Sequence, residues 1–185
     1  MNNLLGIIFL SLVFSSCIST KWHKTNSGAL NLDNDLQHLN SVYYNAPLTI
    51  EEKNNPNDYY PLYALLFERD KIYEWNEFRD YSGKIKIDVI SNKKIKVSYL
   101  IDDLIVEEKM ITGKLTGNIF SSKRRIRFLF LMVFNYYNEV KTSIFLNEDN
   151  ELVVIKQRYA FGSILFASGG GDDGTSGHYA RAIEE

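Results

Sequence analysis

The residues of this chain that are able to do chemistry are few and scattered. Gly169-Gly170-Gly171-Asp172-Asp173-Gly174 matches G-x-G-x-x-G, the pattern that leads a strand into a helix whose N-terminus receives a pyrophosphate. Only eleven residues follow Gly174, too few for that helix and its unit of roughly 30 residues. Asp172 and Asp173 would also repel phosphate. The same two carboxylates lack the spaced oxygen ligands of a calcium loop. His23, His38 and His178 are far apart, with no pair at metal-ligand spacing. No serine sits in G-x-S-x-G, the elbow of an α/β-hydrolase. Asp102-Asp103 and Glu107-Glu108 read as turn and strand-edge charges. No catalytic residue, metal site or cofactor is assigned, and the chain is not expected to be an enzyme.

One residue stands apart. The single cysteine, Cys17, ends an N-terminal segment, residues 1–16, that has no charged side chain. Leu4 to Phe14 is apolar apart from Gly6 and Ser11. A helix that spans a bilayer needs about 20 apolar residues, so this run has the length of a signal-peptide core instead. Asn2 and Asn3 stand where a lysine or arginine is usual. Phe14-Ser15-Ser16-Cys17 resembles the lipobox of bacterial lipoproteins, an apolar residue and two small ones before an obligatory cysteine, with Phe14 in place of the commoner leucine. The resemblance implies cleavage before Cys17 by signal peptidase II, diacylglycerol on its sulfur and an acyl chain such as palmitate on its amine. One chain anchors marginally and two or more hold firmly, at about 0.8 kcal/mol per buried CH₂. Ile18-Ser19-Thr20-Lys21 offers neither an aspartate after the cysteine nor an acidic run. By the same resemblance the protein belongs on the periplasmic face of the outer membrane.

The elements that would carry any site come next. The chain has 185 residues, a formal charge of −2 and a hydrophobic fraction of 45%, enough for one domain with its own core. That charge gives no general case for nucleic acid, and a lone cysteine excludes internal disulfides. Residues 17–32 read as a polar tether. Asp33–Asn40 and Tyr60–Phe67 read as short helices, the second from Pro61 and the spacing of Leu62, Leu65 and Leu66. From Lys84 the period becomes two. Strands are predicted at Lys84–Val89, Ile95–Ile101, Leu104–Thr112, Lys114–Ser121, Arg125–Phe134, Val140–Leu146, Leu152–Phe161 and Ser163–Ala167, with breaks at Gly113, Asn135, Asn138 and Gly162. Residues 33–168 are thus expected to be a mainly β domain, an antiparallel up-and-down barrel or sandwich with one or two short N-terminal helices. Residues 169–185 read as a disordered Gly-rich tail.

The segments DLQHLNSVYYN, YYPLYALLF and KIKIDVI…KIKVSYLIDD…GKLTGNIF…RRIRFLFLMVF together resemble the small lipocalin-like lipoproteins of bacteria. The resemblance implies a barrel or half-barrel and no catalytic residues. Within it Phe128, Leu129, Phe130, Leu131, Met132, Val133 and Phe134 run without alternation beside Lys123-Arg124-Arg125-Ile126-Arg127. A strand with one wet face alternates. This one is therefore either a central strand packed between the barrel interior and the helix at 60–67, or an exposed apolar interface for a partner or a lipid surface. The expected function is non-enzymatic: a lipid-anchored envelope protein that binds a small apolar ligand or a protein partner, or an assembly component that uses 128–134. Mass spectrometry of the purified protein is expected to find a chain that begins at an acylated Cys17. An N-terminus at Met1, or an unmodified thiol, overturns the assignment.

Overall fold

A computed structural model describes residues 35–48, 60–67, 81–130, 134–164 and 167–182. The leader, Cys17 and the whole tether lie outside the described residues. After a 3-10 turn at Gln37–Leu39 come strand β1 (Ser41–Tyr44) and helix α1 (Leu62–Phe67). Eight further strands follow: β2 (Lys84–Ser91), β3 (Lys94–Ile101), β4 (Leu104–Thr112), β5 (Lys114–Thr116), β6 (Ile119–Phe130), β7 (Phe134–Leu146), β8 (Leu152–Ile164) and β9 (Ala167–Tyr179).

The fold is mainly antiparallel β in two sheets, ordered β1-β2-β3-β4 and β5-β6-β7-β8-β9. Period-two patterning explains the first sheet. Ile85 and Ile87 point inward from β2 and Ile95, Val97 and Tyr99 from β3, while Lys86 points to solvent. Asp102 and Asp103 both take positive φ, 50° and 60°, and close the β3–β4 hairpin. The core lies where the sheets overlap. Phe120, Ile144, Leu152, Val154 and Tyr179 from the second sheet meet Leu36, Leu39, Tyr43 and the helical Leu62, Leu65 and Leu66. Each fully buried leucine or isoleucine contributes about 1.5–3 kcal/mol. Polar contacts pin α1 and its neighbours: Tyr63 Oη donates to Glu107 at 2.6 Å, Lys109 Nζ to the Leu66 carbonyl at 3.1 Å, and Tyr179 Oη to the Tyr60 carbonyl at 2.8 Å.

Two seams join the sheets. At one, the chain passes from β4 to β5 through Gly113, whose N–H donates to the Lys93 carbonyl at 2.9 Å. At the other, Tyr43 forms an isolated bridge with Arg181, and the Arg181 guanidinium donates to the His38 carbonyl at 2.5 Å. A strand that changes sheet and a single bridge replace continuous ladders. The up-and-down order is present, but the lipocalin-like closed barrel is not; the architecture is sandwich-like.

Three other expectations are corrected. Lys114–Ser121 is not one strand, because Gly117, at φ +59°, turns the chain between β5 and β6. Asn135, Asn138 and Gly162 do not break strands; β7 and β8 pair without interruption from Phe134↔Ile164 to Leu146↔Leu152. The Gly-rich stretch is not a disordered tail over 169–179. It forms most of β9, paired with β8 from Ile164↔Ala167 to Leu152↔Tyr179. Main-chain hydrogen bonds need no side chain, and the buried Tyr179 and bridged Arg181 hold its far end.

Gly113 tests the seam. A Cβ there would lie 2.6 Å from both the Ser121 carbonyl and the Phe120 ring, whereas one at Gly171 would meet nothing within 4 Å. Gly113→Ala is expected to lose about 1–3 kcal/mol in urea unfolding and Gly171→Ala under about 0.5 kcal/mol. Equal losses contradict the close passage at Gly113.

Candidate functional site

The second sheet is longer than its core. Strands β7 and β8 have thirteen residues each, against eight or nine in β2, β3 and β4. Side chains at one end, from Phe120 and Thr142 to Leu146 and from Leu152 to Val154, are buried. Toward the other end, every residue from Lys123 to Leu129 on β6 and from Ala167 to Gly174 on β9 is exposed. Neighbours in a strand point to opposite faces. Phe128 at 53% and Leu129 at 69% exposure therefore leave both faces uncovered.

The ladders set this distal end in rows across β6, β7, β8 and β9. The terminal row is Phe130, Phe134, Ile164 and Ala167; the third is Phe128, Tyr136, Gly162 and Gly169; the fifth is Ile126, Asn138, Ala160 and Gly171. Through these five rows, roughly 15 Å of strand, Arg127 is the only ionic side chain. Its guanidinium lies over the Tyr137 ring, 5.4 Å from the centroid, a contact worth about 0.5–1 kcal/mol when exposed. Phe128 meets Phe134 edge-on at 5.8 Å. A shallow open depression of about 340 Å³ is lined by Phe134, Gly162, Ser163, Ile164, Ala167 and Ser168.

Carboxylates begin in the sixth row, which holds Arg125, Glu139, Tyr159 and Asp172. Glu139 is 2% exposed and takes an ion pair from Lys123 at 2.6 Å, a bond from Arg125 Nε at 2.5 Å and a bond from Tyr137 Oη. Burial pushes its carboxyl up, but the bonds from Lys123, Tyr137 and Arg125 outweigh burial and hold it below the ordinary range. Burial and the bond to Glu139 push the Tyr137 phenol up. The basic cluster is therefore partly neutralised on one face of β6.

The central strand expected between the barrel interior and α1 is not what 128–134 forms. Phe128 and Leu129 are exposed, Phe130 and Phe134 make the terminal ladder pair, and α1 sits against β4 and β8 at the core. Residues 131–133 lie outside the described residues, as do Cys17 and His23. The other histidines are not brought together: His38 lies in the 3-10 turn, lowered by burial, and His178 Nδ1 on β9 pairs with Glu151 at 3.2 Å. Among the described residues no three His, Cys, Asp or Glu side chains converge as metal ligands. Glu139 is hidden in the sequence because Asn138 beside it reads as a break; the β-forming Tyr136-Tyr137 next to it is the signal that points to a continuing strand. No family model, curated protein or solved structure matches the chain.

The depressed Glu139 carboxyl gives a sign. Its contribution to stability is present above the ordinary value of 4.5 and is lost as pH falls through the lower folded value. Glu139→Gln is expected to cost about 1–3 kcal/mol at neutral pH and to flatten the loss of stability below 4.5. Urea unfolding across that range checks it; an unchanged acid slope contradicts the assignment.

Proposed function

We propose that this protein is a non-enzymatic envelope lipoprotein, anchored by acylated Cys17 at the periplasmic face of the outer membrane, and that its β domain is an assembly module working through the distal end of its long sheet. The observation that carries this reading is the double-sided exposure of consecutive apolar residues, Phe128 and Leu129. Large apolar patches on otherwise soluble domains mark sites of association. A small apolar ligand is the second reading, favoured by the depression at Phe134 and Ile164; copurified lipid in native mass spectrometry would support it.

Gentle detergent extraction of the full-length protein from membranes is expected to give assemblies larger than one chain. Replacing Phe128 and Leu129 with serine should reduce them to single chains that stay folded, read as an unchanged far-UV circular dichroism spectrum, since both side chains are largely exposed. A wild-type protein that is a single chain in the membrane extract overturns the assembly reading.

A further inference from the structure

The distal part of the long sheet ends in two open edges. On β6, strand β5 covers only Ile119–Ser121. On β9, the β1 segment reaches only the far end, where Leu48 N–H donates to the His178 carbonyl and Tyr43 bridges Arg181. Among the described residues no strand lies beside 122–130 of β6 or 167–175 of β9. Such edges are templates for another strand.

We infer that the distal β6 edge of one copy pairs with the distal β9 edge of the next, joining copies of this chain side by side into a continuous antiparallel sheet. The inference rests on the assembly reading above and names its partner as a second copy.

Direction is the first argument. Four successive antiparallel strands leave β6 and β9 running in opposite senses. Copies with their apolar ends on one side therefore present β9 to the next β6 as an antiparallel neighbour, like every other pair in the sheet.

Charge is the second argument. Distal β6 carries Lys123, Arg124, Arg125 and Arg127 and no acid; distal β9 carries Asp172 and Asp173 and no base. Within the sheet, Asp172 shares the row of Arg125 and Asp173 the row of Arg124. Copies set at equal height thus oppose Asp172 to Arg125 on one face and Asp173 to Arg124 on the other. A slip of one residue moves these side chains to opposite faces and loses both matches. Arg125 keeps Glu139 on its inner side in this arrangement.

Shape is the third argument. The same register sets Phe128 against Gly169, Arg127 against Gly170 and Ile126 against Gly171, a large residue opposite none each time. A Cβ at Gly169 or Gly171 would meet nothing within 4 Å, so Phe128 and Ile126 have room to lie over them, whereas the face at Gly170 is already filled by the Ala160 carbonyl and the Phe161 ring. The contact joins unlike edges, so it repeats from copy to copy until a ring closes.

Oxidative cross-linking in membranes holding the full-length protein tests this. The variant carrying both Arg124→Cys and Asp173→Cys is expected to give a ladder of disulfide-linked multimers. The two single variants mixed should stop at dimers, and each alone, like the parent with Cys17, should give none. Asp173→Arg should shrink the native assembly, and adding Arg124→Asp should restore it. Dimers from either single variant alone mean like-edge pairing and overturn the inference. No cross-link in an assembly that stays large also overturns it but leaves the assembly reading standing; no cross-link in a single-chain protein overturns both.

Discussion

Strands β7 and β8 stay paired along their whole length, yet the partner sheet covers only the half that ends at Leu146 and Leu152. Everything distinctive about the molecule follows from that mismatch. In the covered half, burial of Phe120, Ile144 and Val154 supplies the stabilisation. In the uncovered half, only main-chain ladders and a few lateral contacts oppose the chain's entropy. A single buried hydrogen bond nets about 1 kcal/mol, so such a sheet holds its shape because it continues strands that the core has already fixed.

Glu139 sits at the boundary between these halves. A carboxylate at 2% exposure is costly unless it is well bonded. Here two cations from β6 and one phenol from its own strand converge on it. The cluster ties β6 to β7 where apolar packing gives out, and it makes register explicit: sliding β6 by one residue would take Lys123 and Arg125 to the other face.

The legible and illegible parts of the sequence divide along the same line. Where one face is buried, alternation wrote the structure plainly, as in Ile85, Ile87, Ile95 and Val97, and Asp102-Asp103 marked its hairpin. Short apolar α1 was visible from Pro61 and the leucine spacing. Where neither face is buried, the code fails. Asn135, Asn138 and Gly162 look like breaks by residue type, because their strands are only half-buried there and carry no alternation to override it. Gly169–Gly174 looks like a tail because its order comes from main-chain pairing with β8 in a hairpin, which needs no side-chain pattern on the glycine strand itself. The apolar run at 128–134 is compatible in sequence with a covered central strand or an exposed interface, because absence of alternation does not say whether a cover is present; Phe128 and Leu129 are exposed. The sheet switch at Gly113 also has no period of its own, although the glycine itself was visible as a break.

Open edges are hazards, and proteins usually blunt them with proline, bulges or charge. This chain has three prolines, and neither of the two among the described residues, Pro47 and Pro61, is in a strand. Its exposed edges rely on charge alone. Lys123, Arg124, Arg125 and Arg127 repel a second β6, and Asp172-Asp173 repel a second β9, by the like-charge penalty across a ladder. The same charges do not repel the unlike edge. Protection by sign is thus selective where proline would be absolute: it suppresses indiscriminate stacking while leaving one antiparallel pairing favourable. That selectivity is screened by salt within about 10 Å at ordinary ionic strength, so it acts at contact range, between strands already set side by side.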